Sequence, residues 1–140
     1  MKIKVLFKKT HPDAKMPTRG HDGDAGYDIY AVEDTTIWNW RTVIVPAGVS
    51  ICLPPGYYAE LHPRSSLALK DVYMKIGIID EGYRGDIGAI VIALQTQIEI
   101  KKGERIAQLI LKKREEIEFE EVDTLPKSER GEKGFGSSGK

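Results

Sequence analysis

The chain has 140 residues, with 21 lysines and arginines against 21 aspartates and glutamates, a formal net charge of +0 and a single cysteine. That length suits one domain burying roughly two-thirds of the surface its unfolded chain exposes, without cross-links. The charge balance excludes a global field toward nucleic acid or anionic membrane, so any anion must be bound locally. Cys52 alone excludes an internal disulfide, and it reads as a small buried apolar residue in a reducing compartment.

The N-terminal MKIKVLFKK has too short an apolar run for a secretory signal, and no stretch approaches the length of a membrane span. The expectation is a soluble, cytoplasmic protein with neither a membrane nor a nucleic-acid partner. Short β-rich runs then recur between turn signals: IKVLF, TVIVPAG, VSICLPPG and YYAELHP, followed by VYMKIGIID, DIGAIVIAL, TQIEIKKGE, RIAQLILKK and IEFEEV. Strands of this length and spacing predict an all-β fold, a jelly-roll-like β-barrel. IWNW, before TVIVPAG, puts an asparagine at a hairpin tip between two tryptophans that pack in the core or against a subunit. RSSLALKD is the one short helix, with a serine as its cap. AIVIAL is apolar throughout and should be buried on both faces, inside the barrel or against another subunit. TQIEIKK and IEFEE alternate, so those strands have one wet side. After DTLPKSE the apolar pattern stops, which divides the chain into a β domain over residues 1–126 and a flexible, glycine-rich C-terminal arm over residues 127–140.

The three histidines, His11, His21 and His62, share no metal-ligand spacing, which argues against a structural zinc. The tail GFGSSGK fits only the first part of a phosphate-binding loop, without the strand before it or the hydroxyl residue and helix that should follow Lys140. Five polar, glycine-flanked stretches remain: DAGYDIYA, HPRSSLALK, GIIDEGYRGDIG, GERIAQLIL and RGEKGFGSSGK. Singly each has a bland reading, with DEGYRG a turn, Gln108 a half-buried edge residue and Arg64 a surface cation. In this order the five stretches resemble the motifs of the trimeric dUTPase family, over about residues 24–140.

The resemblance implies a homotrimer that hydrolyses dUTP to dUMP and pyrophosphate, limiting uracil in DNA and supplying dUMP for dTMP synthesis. Such a reaction needs a base for water, cations or donors around the phosphates, and a pocket that reads uracil. Asp80 follows the apolar IGII and should project from the end of a buried strand, where neighbours fix its rotamer. By resemblance it is the catalytic base; its bland reading is that it opens a turn. Arg64, Ser65 and Ser66 open the short helix, whose first N–H groups suit phosphate. With Gln108 they form the phosphate-binding set of the family. Tyr83 packs on the deoxyribose by resemblance, and Gly77 and Gly88, flanking the expected hairpin, let backbone groups reach the uracil edge. From the arm, Phe135 and Gly136 cover the uracil while Arg130, Ser137 and Ser138 reach the outer phosphates of a site built from the other two subunits. Asp28 either supports the site through metal-bound water or is structural. No protein residue is a direct metal ligand in this reading, and Mg²⁺ arrives as cofactor with the triphosphate.

Gly82 and Ser66 stand where the family more often has an acidic residue and a glycine. Both pull toward the dCTP deaminases of the same fold. Those enzymes need a downstream glutamate, and alignment of IIDEGYRGDIGAI puts Ile90 there, which cannot move a proton. A partner-binding role for IWNW or for the loop HPDAKMPTRGHDGD would be additional to catalysis.

Overall fold

A computed structural model describes residues 1–136. It contains eleven short strands and one helical turn. In chain order these are β1 (Leu6–Lys9), β2 (Tyr27–Tyr30), β3 (Thr35–Ile37), β4 (Val43–Pro46), β5 (Val49–Cys52), β6 (Tyr57–His62), α1 (Ser65–Ala68), β7 (Val72–Met74), β8 (Gly77–Ile79), β9 (Gly88–Ala93), β10 (Ile98–Ile100) and β11 (Arg105–Lys113). The expected all-β class with one short helix is therefore present. No helix among the described residues is long and apolar enough to cross a membrane.

All pairing between named strands is antiparallel and falls into four sheets, ordered β1-β5, β10-β3, β2-β11-β6-β8 and β4-β9-β7. The strands alternate: in β9, Ala89, Val91 and Ala93 point inward while Ile90 stays exposed. Such alternation lets one face of each sheet share a core. Ile29, Ile37, Val45, Val49, Val91, Ile100 and Ile106 are fully buried in it. Each such aliphatic side chain contributes about 1.5–3 kcal/mol by leaving water.

Within one chain AIVIAL is buried on one face, and the other side of the β4-β9-β7 sheet, with Ile44, Ile90 and Tyr73, is the open face where burial against another subunit is expected. Three expectations change. IWNW is no hairpin tip, since β3 pairs with β10 and β4 with β9, and the link between them leaves Trp38 and Trp40 exposed. Trp40 adopts a positive φ of 63° there. IEFEEV forms no strand. A strand needs a partner, and past β11 the described chain has none, so Ile117 and Phe119 are 71% and 89% exposed. The serine cap is also absent: Arg64, in extended conformation, is the N-cap of α1 and makes no side-chain cap bond.

Candidate active site

The four-stranded sheet positions most of the polar residues singled out by sequence. Its outer face carries a row across three strands. In the ladders, Gln108 on β11 stands opposite Asp28 on β2 and opposite His62 on β6. Where β6 ends, Arg64 turns back over this row, with its Nε 3.4 Å from Asp28 Oδ1. Arg105 Nε approaches the other oxygen at 3.7 Å. Asp28 is only 14% exposed, so it orients both guanidiniums, and two cations against one carboxylate leave this end of the sheet positive. Ser65 and Ser66, exposed in the first turn of α1, extend the cluster, and Arg64 Nη1 donates to the Ser66 hydroxyl at 3.3 Å. Such an arrangement suits a polyanion.

Gly26, which sequence reasoning passed over, makes room for this row. A Cβ there would lie 2.9 Å from Gln108 Oε1 and 3.0 Å from its Cβ, so any side chain would displace the glutamine. Its only signal was a glycine just before a strand in DAGYD. Arg105 was likewise missed, although GERIAQ contains it.

Asp80 lies at the opposite end. β8 pairs only with β6, with Ala59 opposite Ile79, so Asp80 falls level with Tyr58 while Gln108 is level with His62. Four residues of β6 separate these levels, roughly 13 Å along the strand and about four times hydrogen-bond reach. Contrary to the expectation of neighbours around it, Asp80 is exposed, and among the described residues its carboxylate has no hydrogen bond or ion pair. Its backbone is well held. Tyr83 N–H donates to Asp80 O at 3.0 Å. The neighbouring Glu81 carboxylate accepts Gly56 N–H at 2.8 Å and Arg114 Nη1 at 2.5 Å, while Arg114 N–H donates to Gly56 O at 2.8 Å. The Gly56 bond first, and Arg114 second, hold the Glu81 carboxyl below its usual range. This clamp ties the Asp80 turn to the point where the C-terminal segment leaves β11. It too was missed, since it joins residues far apart in sequence.

Gly77 and Gly88 do not flank a hairpin. β8 belongs to the four-stranded sheet and β9 to the three-stranded one, so residues 80–87 form a link between sheets. A Cβ at Gly77 would meet only Leu61, at 3.7 Å, whereas at Gly88 it would meet Ile44 and Val45 O at 2.8 and 2.9 Å. Gly88 is thus a packing requirement. Tyr83 folds its ring over Gly85, where a side chain would collide with the phenol, and donates its hydroxyl to Asp86 O at 2.9 Å. Arg130 and Phe135 are exposed, Arg130 Nε donating to Lys133 O at 2.8 Å, and Gly136 has a φ of 76°. Ser137 and Ser138 lie outside the described residues.

The chain is similar to known proteins over nearly its whole length. Deoxyuridine 5'-triphosphate nucleotidohydrolase of Corynebacterium diphtheriae is 42% identical over 140 residues, covering 96% of this chain and 92% of the relative. The enzyme of the same description from Clostridium novyi is 41% identical over 141 residues, covering 98% and 99%. The solved dUTPase of Staphylococcus bacteriophage 80alpha with dUPNHPP superposes with a TM-score of 0.88 at 31% identity, covering 97% of this chain and 98% of that one. The sequence model of the dUTPase family matches residues 12–139, so the chain belongs to the dUTPase family.

Proposed function

We propose that the chain hydrolyses dUTP to dUMP and pyrophosphate in sites shared between the subunits of a homotrimer, with Asp80 activating the water. The observation that carries this reading is the division of the polar residues between the two ends of one sheet. One end gathers Arg64, Arg105 and Gln108 around a carboxylate that is already ion-paired, and the other holds the Asp80 carboxylate, which no cation pairs among the described residues. A base must come within hydrogen-bond reach of the water it activates. The two halves meet that condition when the Asp80 end of one chain faces the Arg64 end of another.

In that assembly Arg64, Ser65, Ser66 and Gln108 hold the phosphate chain and withdraw its charge. Asp80 accepts a proton from water as the oxygen forms its bond to the α-phosphorus. The bond from that phosphorus to the bridging oxygen then breaks, and pyrophosphate leaves. Tyr83 lies against the deoxyribose, where a 2′-hydroxyl would clash, and backbone groups of the 77–88 stretch read the uracil edge. Phe135 and Gly136 cover the base, and Arg130, with Ser137 and Ser138, closes on the outer phosphates. Among the described residues no three acidic, histidine or cysteine side chains cluster as a metal cage. Asp28 is the carboxylate nearest the phosphate row, and its fit is to a hydrated Mg²⁺ carried in by the triphosphate, which supplies charge neutralisation.

Two surfaces support the trimer. The outer face of the β4-β9-β7 sheet leaves Ile44 63% exposed beside Ile90 and Tyr73. Past β11, Ile117, Phe119 and Leu125 stand out on a segment that touches little of its own chain. Both are the kind of apolar surface that a second copy covers.

The test is incubation with dUTP, dCTP and UTP plus Mg²⁺, with pyrophosphate and ammonia both measured. The expected result is pyrophosphate from dUTP, with UTP rejected sterically at Tyr83 and dCTP by roughly 10⁴-fold, because its base leaves buried polar groups unpaired. Ammonia from dCTP would replace this reading with a deaminase.

A further inference from the structure

The row across the sheet does not stop at Gln108. His62 stands opposite Gln108 in the β11–β6 ladder, just as Asp28 does in the β11–β2 ladder. Directly opposite residues of an antiparallel pair project on the same face. His62 therefore flanks Gln108 on one side as Asp28 does on the other, two residues before Arg64. His62 opens the HPRSSLALK stretch, but the reaction derived above gives it no role.

Its ring is tethered. Nε2 lies 2.7 Å from Glu60 Oε1, and the other Glu60 oxygen accepts the Tyr58 hydroxyl at 3.2 Å. The His62 bond first, opposed by burial and assisted by Tyr58, holds the Glu60 carboxyl below its usual range. Glu60 is thus ionised at neutral pH and can only accept, so Nε2 carries its hydrogen. That leaves Nδ1 as the nitrogen that gains or loses the second proton. The charged and titratable groups around the ring are Glu60 and Tyr58 on β6, Lys112 on β11, Asp28 on β2 and Arg64 at the head of α1, whereas β8 offers Ile78 opposite Glu60.

We infer that His62 is a further phosphate-binding residue, which takes up a proton at Nδ1 as the triphosphate enters and adds a cation to the row beside Gln108. The inference rests on the dUTP reading of this site. Glu60 supplies the fixed counter-charge that lets an imidazolium form in a half-buried row already holding two arginines. Linkage is reciprocal: a polyanion that stabilises the imidazolium is itself bound more tightly when protons are available. Affinity should then be higher in mildly acidic than in alkaline solution.

The probe is a dUTP analogue with an imido bridge between the α- and β-phosphorus, bound with Mg²⁺ to the full chain. Calorimetry in buffers of different ionisation enthalpy reads the protons taken up on binding. The wild type is expected to take up a fraction of a proton near neutral pH, and His62→Gln measurably less. Near pH 6 the variant should bind roughly tenfold more weakly, the scale of one charged hydrogen bond, and should converge on the wild type near pH 9. The comparison cancels the titration of the terminal phosphate, common to both. In steady state the loss falls mainly on KM. Equal proton uptake in the two proteins, or an affinity difference that does not vary with pH, would overturn the inference while leaving dUTP hydrolysis in place. No binding of the analogue by the wild type at any pH would sink both this inference and the reading beneath it.

Discussion

The two ends of the four-stranded sheet are built in opposite ways. At the Arg64 end side chains hold one another: Asp28 draws in two guanidiniums, and Gln108 rests against the bare backbone of Gly26. At the Asp80 end the backbone is clamped, through Glu81 to Gly56 and Arg114, while the Asp80 carboxylate stays free. Asp28 shows what would become of Asp80 if arginines were within its reach, since a carboxylate occupied by two cations has lost most of its ability to accept a proton. Keeping the Asp80 carboxylate about 13 Å along the sheet from the Arg64 row in one chain leaves each suited to its task until a second chain brings them together.

The largest effect should come from removing the free end's function. Asp80→Asn is expected to lower kcat by at least ~10²-fold, the usual floor for a lost general base, with an unchanged melting temperature because the side chain is exposed. Turnover close to wild type would remove Asp80 from the chemistry. Next in size, truncation before Arg130 removes a segment whose described residues, 130–136, are all exposed, so thermal melting should not move. Its activity should drop by roughly 10–10²-fold, in turnover as well as in affinity, since a stacked aromatic is worth about 1–3 kcal/mol and a charged hydrogen bond about 1.5–3 kcal/mol, less the entropy of ordering the arm. Kinetics and melting measured side by side would reveal an arm that is only a loose end, by its unchanged turnover.

Gly26→Ala sharpens the comparison at the other end. The new methyl group must push Gln108 aside, at an overpacking cost of about 1–3 kcal/mol. KM for dUTP should rise by about tenfold while Asp80 chemistry is untouched, and an unaltered KM would detach Gln108 from substrate binding. The smallest effect concerns the clamp. The Glu81 carboxyl lies below its ordinary value of 4.5, so its contribution to stability is present above that pH and is lost as pH falls through the lowered folded-state value. Melting curves of wild type and Glu81→Gln should differ slightly at neutral pH and converge in acid; a gap that widens in acid would contradict the assignment.

Much of this was legible in the sequence, and the illegible part has a common cause. Asp80 and Arg64 sit where an apolar run meets turn residues, a local signal, whereas Gln108, inside β11, stood out only through the resemblance of the five ordered stretches to the dUTPase family. The strand pattern of β9 and β11 was local too. The role of Gly26 depends on which side chain crosses it, and the clamp on Glu81 joins residues 56, 81 and 114, so neither has a sequence period. IEFEEV has the alternation of a strand but no partner among the described residues, so pattern alone could not decide it. The serines of α1 looked like caps because cap preference is read from residue type, whereas the extended entry from β6 makes Arg64 the N-cap. GIIDEGYRGDIG suggested a hairpin because two strands follow closely, yet they belong to different sheets.

The most direct test mixes two defective chains. Asp80→Asn keeps an intact phosphate row, and Arg64→Ala keeps an intact base. Unfolded together in equal amounts and reassembled, they should yield trimers in which about a quarter of the sites join one good half from each chain, as random assembly around a threefold axis requires. Pyrophosphate release from dUTP should therefore recover to about a quarter of the wild-type rate, although each variant reassembled alone stays inactive. A mixture no more active than its parents would mean that base and phosphate row act within one chain, contrary to the geometry of the sheet.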